Sequence, residues 1–163
     1  MAKVTHKITP FLWFDKEAED AVKFYVSVFK NGKIGKISRY GKEGYEIHKM
    51  SEGTAMVVEF TLEGQQFQAL NGGPIFKFNE SVSFVVNCEN QEEVDYYWKK
   101  LSADPKAEQC GWLKDKFGLS WQIVPIQLGE MLSDSDARKA GRVMNAMLQM
   151  KKIDIAKLEE AYK

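Results

Sequence analysis

Histidine and cysteine are scarce in this sequence: each occurs twice in 163 residues. Cys88 and Cys110 form no Cys-x-x-Cys pair and have no histidine pair nearby. That argues against a disulfide framework and a structural zinc site. His6 and His48 lie far apart and read as surface residues. Net charge is also missing, since Lys+Arg and Asp+Glu each total 23. Nucleic-acid binders carry a basic excess or stripe. This chain has only short lysine pairs such as Lys99-Lys100 and Lys151-Lys152, so no nucleic-acid partner is expected. No run approaches the ~18 apolar residues of a membrane span, and MAKVTHKITP has no apolar signal core. The expectation is a reduced, cytoplasmic protein without a membrane partner.

What is present suits a globular chain. The hydrophobic fraction is 44% and the charged fraction 28%, ordinary values for a packed core under a solvated surface. The length suggests a single domain over 1–163, or two small modules fused into one.

Read along the chain, ITPFLWF at 8–14 is apolar and β-prone. A helix follows, with Asp15 as its N-cap and acidic residues in its first turn. Ala18, Ala21, Val22, Tyr25, Val28 and Phe29 share one helical face, and Asn31-Gly32 stops it. KIGKISRYG, GTAMVVEFTLEG and QQFQALNGG read as three strands, with Glu63-Gly64 as a tight turn. Asn71-Gly72-Gly73-Pro74 ends the run. The pattern then restarts with a strand at 81–87 and a helix at 89–101 that Asp104-Pro105 breaks. QCGWLKD and GLSWQIVPI read as two further strands. The remainder, 133–163, has helical period with a break near Lys152.

The two halves repeat. An offset of 72 places Thr9 on Ser81, Phe14 on Val86, Val22 on Val94 and Phe29 on Leu101. An offset of 54 places Gly64 on Gly118, Phe67 on Trp121 and Gln68 on Gln122. Matched elements in the same order indicate a βαβββ unit over 8–73 and a similar, trimmed unit over 81–127. The expected fold class is α+β, with paired βαβββ units and C-terminal helices.

ITPFLWFD, AVKFYVSVF, CGWLKDKFGLSWQIVP and MNAMLQMKKIDIAKLEEAY resemble the PhnB-like branch of the vicinal oxygen chelate superfamily. Glyoxalase I, extradiol dioxygenases and bleomycin-resistance proteins belong to that superfamily. The branch is often labelled "3-demethylubiquinone-9 3-methyltransferase" domain. The resemblance implies curved mixed sheets forming a cup, helices outside it, and a homodimer, sometimes with exchanged modules. In metal-using members His, Glu or Gln, His and Glu enter the cup from the first and last strand of each half. They surround a divalent metal that polarises substrate oxygens.

Carried onto this chain, those four places are Thr9, Gln68, Ser81 and Gln122. Amide oxygens and hydroxyls bring no charge to a metal, so no resident metal or other cofactor is expected. Such groups make a neutral, hydrogen-bonding floor. Phe11, Trp13, Phe67, Trp112 and Trp121 supply candidate walls, although alternation turns some of them toward the helices. The leading expectation is a metal-free small-molecule-binding protein or uncharacterised enzyme, its ligand unknown. A metal-dependent lyase or dioxygenase would need His6, His48 or Glu59 as substitute ligands. The methyltransferase of the family label would need a glycine-rich cofactor loop after the first strand, which the sequence does not show. A dimerisation module without a ligand is the remaining alternative. Cys110 reads as a small buried thiol rather than a nucleophile. Met144, Met147 and Met150 read as packing residues.

Overall fold

The computed structural model describes residues 6–163. The first five, part of the stretch read as lacking a signal core, lie outside the described residues. The chain divides into two compact units, one reaching Lys77 and the other running from Phe78 to Lys163. Each is a mixed sheet with helix packed on one face, so the fold is α+β.

In the first unit the order is β1 (Phe11–Phe14), α1 (Ala18–Val28), β2 (Lys33–Arg39), a single turn α2 (Tyr45–His48), β3 (Ala55–Leu62) and β4 (Gln65–Asn71). The strands lie side by side as β1-β4-β3-β2. The β1–β4 pair is parallel and the others are antiparallel. Alternation sorts the side chains. Leu12, Phe14, Val58, Phe60, Leu62, Phe67 and Ala69 are buried, as is the apolar stripe Ala18, Ala21, Val22, Tyr25 and Val28 of α1. Tyr25, Phe60 and Phe67 stack in sequence through this layer. The expected turn at Glu63-Gly64 joins β3 to β4, with both residues at positive φ.

The helix start differs from expectation. Glu17, not Asp15, is the N-cap, and it makes no capping bond with its side chain. Asn71 caps from the neighbouring strand instead. Its buried Oδ1 accepts from the Ala18 N–H at 2.8 Å, while its Nδ2 donates to the Ala55 carbonyl at 2.9 Å. The chain therefore closes a helix end with a residue 53 positions away, a link no local capping rule can see.

The second unit runs β5 (Ser83–Cys88), α3 (Gln91–Leu101), a 3₁₀ turn at Pro105–Ala107, β6 (Trp112–Lys114) and β7 (Ser120–Pro125). Its sheet order is β5-β7-β6, one strand fewer than the first. Asn90 caps α3 by accepting from the Glu93 N–H. Val94, Tyr97 and Leu101 of α3 are buried, together with Val86, Leu113, Trp121 and Ile123 of the sheet.

Three helices complete this unit: α4 (Ile126–Leu132), α5 (Ala137–Leu148) and α6 (Ile155–Tyr162). α4 starts directly after β7, where the sequence reading left a connection. Leu128, Val143, Ile153 and Leu158 form its small core, flanked by Met131, Met147 and Met150. The expected break near Lys152 is the segment between α5 and α6. That segment accepts hydrogen bonds from the turn before β6: Cys110 N–H to the Met150 carbonyl at 2.9 Å and Gly111 N–H to that of Lys151 at 2.8 Å. Among the described residues no helix is long and apolar enough to cross a membrane.

Candidate functional site

Each sheet has one face against a helix and one face without it, and the glutamines stand on the second kind. In the first sheet, the register puts Phe11 beside Gln68 and Gln68 beside Glu59. The next row holds Trp13, Leu70 and Val57. These rows alternate with the buried Leu12–Ala69–Val58 row, so they project from the open face. Phe11 is 51% exposed. Gln68, Glu59, Trp13 and Leu70 are half-buried. Thr9 is half-buried just before β1, one step along the same alternation.

Gln68 and Glu59 share a property. Among the described residues, neither side chain makes a hydrogen bond or ion pair. Their neighbours are committed elsewhere. Trp13 donates its indole N–H to the Gly73 carbonyl at 2.8 Å, and Phe76 meets its ring edge-on. Gln66 Oε1 lies 2.9 Å from His6 Nδ1.

In the second sheet, Val85, Gln122 and Trp112 form one row, and Ser83, Ser120 and Lys114 the next. Gln122 Nε2 donates to Ser83 Oγ at 2.9 Å. The hydroxyl beside Gln122 thus belongs to Ser83. Ser81, the residue expected there, is exposed before β5, its amide and hydroxyl bonded to Asn79. The cause is a register difference. Gln68 pairs with Phe11 but Gln122 pairs with Val85, so the strand repeat is two residues longer than the helix repeat from which Ser81 was counted. Ser120 Oγ is buried without a partner among the described residues.

Trp121 also leaves the expected set. It pairs with Phe84 and Leu113 on the helix side and is 3% exposed. Its indole N–H donates to Asp115 Oδ2 at 2.9 Å. Asp115 Oδ1 accepts the backbone N–H groups of Phe117 and Leu119. The most distinctive phrase of the sequence, Asp-x-x-Gly-x-x-Trp-Gln, is therefore largely a hairpin clamp. Only its last residue reaches the open face. Phe67 likewise turns to the helix side, stacked on Phe60.

The residues do not fit a resident metal. The four carried-over places hold neutral oxygen and nitrogen groups, and among the described residues no three His, Cys, Asp or Glu side chains converge. His48 offers no free nitrogen: Nδ1 accepts from the Met50 N–H at 3.0 Å, and Nε2 lies 3.0 Å from the Glu43 carbonyl. Nor do they fit S-adenosylmethionine in the usual glycine-loop manner. The segment after β1, Asp15-Lys16-Glu17, has no glycine. Gly72 is a packing glycine, since a Cβ there would stand 2.3 Å from the Trp13 ring.

A family model described as 3-demethylubiquinone-9 3-methyltransferase matches residues 6–124. The PhnB protein of Bacillus cereus is 37% identical over 74% of this chain and 99% of its own, with a TM-score of 0.61. The protein PA1353 of Pseudomonas aeruginosa is 15% identical over 74% of this chain and 98% of its own, with a TM-score of 0.55. Comparison with curated proteins gives no match. Residues beyond Val124, the three C-terminal helices, lie outside the family model.

Proposed function

The chain belongs to the family described as 3-demethylubiquinone-9 3-methyltransferase, with PhnB-like, glyoxalase-fold relatives, and from that premise we propose a function other than its label. We propose that it is a small-molecule-binding protein, holding its ligand by side-chain hydrogen bonds rather than through a metal. The observation that carries this is Gln68. A half-buried amide beside an exposed aromatic ring, with donors and acceptor free among the described residues, is polar capacity that a ligand can fill. Water fills that capacity in the free protein, and a ligand that reproduces its hydrogen bonds can displace it. Thr9 and Phe11, on the same sheet face, are the other contributors.

The metal-dependent and methyltransferase readings lack support from the side chains. A metal site would have to be assembled from amides and hydroxyls, and Gly72 after β4 is packed against the Trp13 ring. The same proposal includes a homodimer and a reducing, cytoplasmic setting, in keeping with two free cysteines. Native mass spectrometry of the purified chain tests the reading. A small organic mass is expected on the wild type and not on Gln68→Ala, with both variants melting at similar temperature. An equal mass on the variant would remove Gln68 from the site. The wild type carrying no mass, and binding no member of a fragment library, would overturn the function.

A further inference from the structure

The open face of the first sheet carries a carboxylate where the rest of the row is neutral. Glu59 is half-buried, between Gln68 on one side and β2 on the other. A bulge separates Ile34 from Ile37 in β2, and Gly35 lies against Glu59 there. A Cβ on Gly35 would stand 3.2 Å from the Glu59 Cβ. That flank of the carboxylate is left without a side chain of its own.

The cations on this sheet leave Glu59 unpaired among the described residues. Arg39 is held by Glu19 and the Gly53 carbonyl. Lys33 pairs with Thr61, one row along, and Lys36 sits in the bulge; neither makes an ion pair with Glu59. A carboxylate with no cation beside it is open to take one from a ligand.

Resting on the reading of this face as a ligand site, we propose that its ligand is a small organic cation, an amine or amidine on an apolar or aromatic body, with Glu59 as counter-ion. The row is suited to such a molecule. Glu59 accepts a charge-assisted hydrogen bond, and the Gln68 side-chain oxygen accepts another N–H. The exposed ring of Phe11 packs against the body or takes the cation on its face. Carboxylates and phosphates are disfavoured by the same charge.

The test uses the full chain with three matched probes: 2-phenylethylamine, 2-phenylethanol and phenylacetate. Calorimetry gives affinity and amide shift perturbation gives location. The amine is expected to bind and to shift Phe11–Trp13, Val57–Thr61 and Gln66–Leu70, while the alcohol and acid bind at least about tenfold more weakly. Glu59→Gln should remove most of that preference, and added salt should weaken the amine alone. Three results would overturn the cation. One is an alcohol that binds as tightly as the amine. Another is a Glu59→Gln variant with unchanged amine affinity while Gln68→Ala still loses it, which keeps the ligand site and discards the counter-ion. Absence of any shift on this face with all three probes also overturns it, and the retained-mass experiment decides separately whether the site itself stands.

Discussion

Asp115 shows how much one side chain can hold. It is 3% exposed, and its carboxylate satisfies two backbone N–H groups and the Trp121 indole. Asp115→Ala removes the acceptor of two buried donors and one half-buried one and is expected to cost about 3 kcal/mol, read from urea unfolding. Asp115→Asn should be nearly as damaging, because its NH₂ either meets the indole N–H or displaces the turn amides. If Asn restored full stability, the clamp would not be what orders the hairpin. The cysteines differ in a parallel way. Burial, with Glu93 adding to it, pushes the Cys88 thiol up to about 12. At pH 8 the folded protein should therefore give one thiol to an aromatic disulfide reagent, that of half-buried Cys110, and two in urea. Rapid loss of both thiols in the native state would contradict the buried placement of Cys88.

Among the elements, the C-terminal helices have the clearest role; the sequence shows their period over 133–163 but not α4. α4, α5 and α6 enclose Leu128, Val143, Ile153 and Leu158, and the segment between α5 and α6 caps the turn before β6. Ile153→Ala opens a cavity in a core with little else to fill it. A loss of about 2–4 kcal/mol is expected, with faster amide exchange at Cys110 and Gly111, whose acceptors precede that residue. Unchanged exchange at those two amides would separate the helices from the hairpin. An ion pair ties the same region to α3. Lys152, with help from Gln91, holds the Asp95 carboxyl below its ordinary value. A lowered carboxylate stabilises fully above its unfolded value near 4 and loses that as pH falls through the folded value. Both partners are 40–50% exposed, so the effect is well under about 1 kcal/mol and fades with salt. It should appear as faster exchange of the Ile155 amide, bonded to Gln91, below about pH 4 and in high salt.

For the whole molecule, the repeat was legible because both halves write period-two strands and a period-3.6 helix in one order. The turns at Glu63-Gly64 and Gly118 anchored it. What could not be read were quantities set across the sheet. The partner of Gln122 depends on the β5–β7 register, which differs by two residues from the helix repeat, so Ser81 was inferred where Ser83 stands. Trp121 reads as a ligand-face residue from its place beside Gln122, yet its parity turns it to the helix side, and Asn71 caps a helix from another strand. Glu59 reads in the sequence only as a substitute metal ligand, and the β3–β4 register is what sets it beside Gln68. One consequence concerns assembly. Phe11 is 51% exposed and Val85 50% exposed on their open faces. Isolated exposed apolar residues are ordinary, but on an open sheet face they favour further burial. The proposed homodimer should therefore show a native mass twice the 18.7 kDa of the chain. Val85→Glu places a charge in the Gln122 row without touching the helix-side core. It should weaken dimerisation by about tenfold or more while leaving the melting behaviour of the monomer intact. A wild-type protein that is monomeric at every concentration from micromolar to millimolar would exclude the dimer, and a dimer indifferent to Val85→Glu would move its interface away from the second sheet.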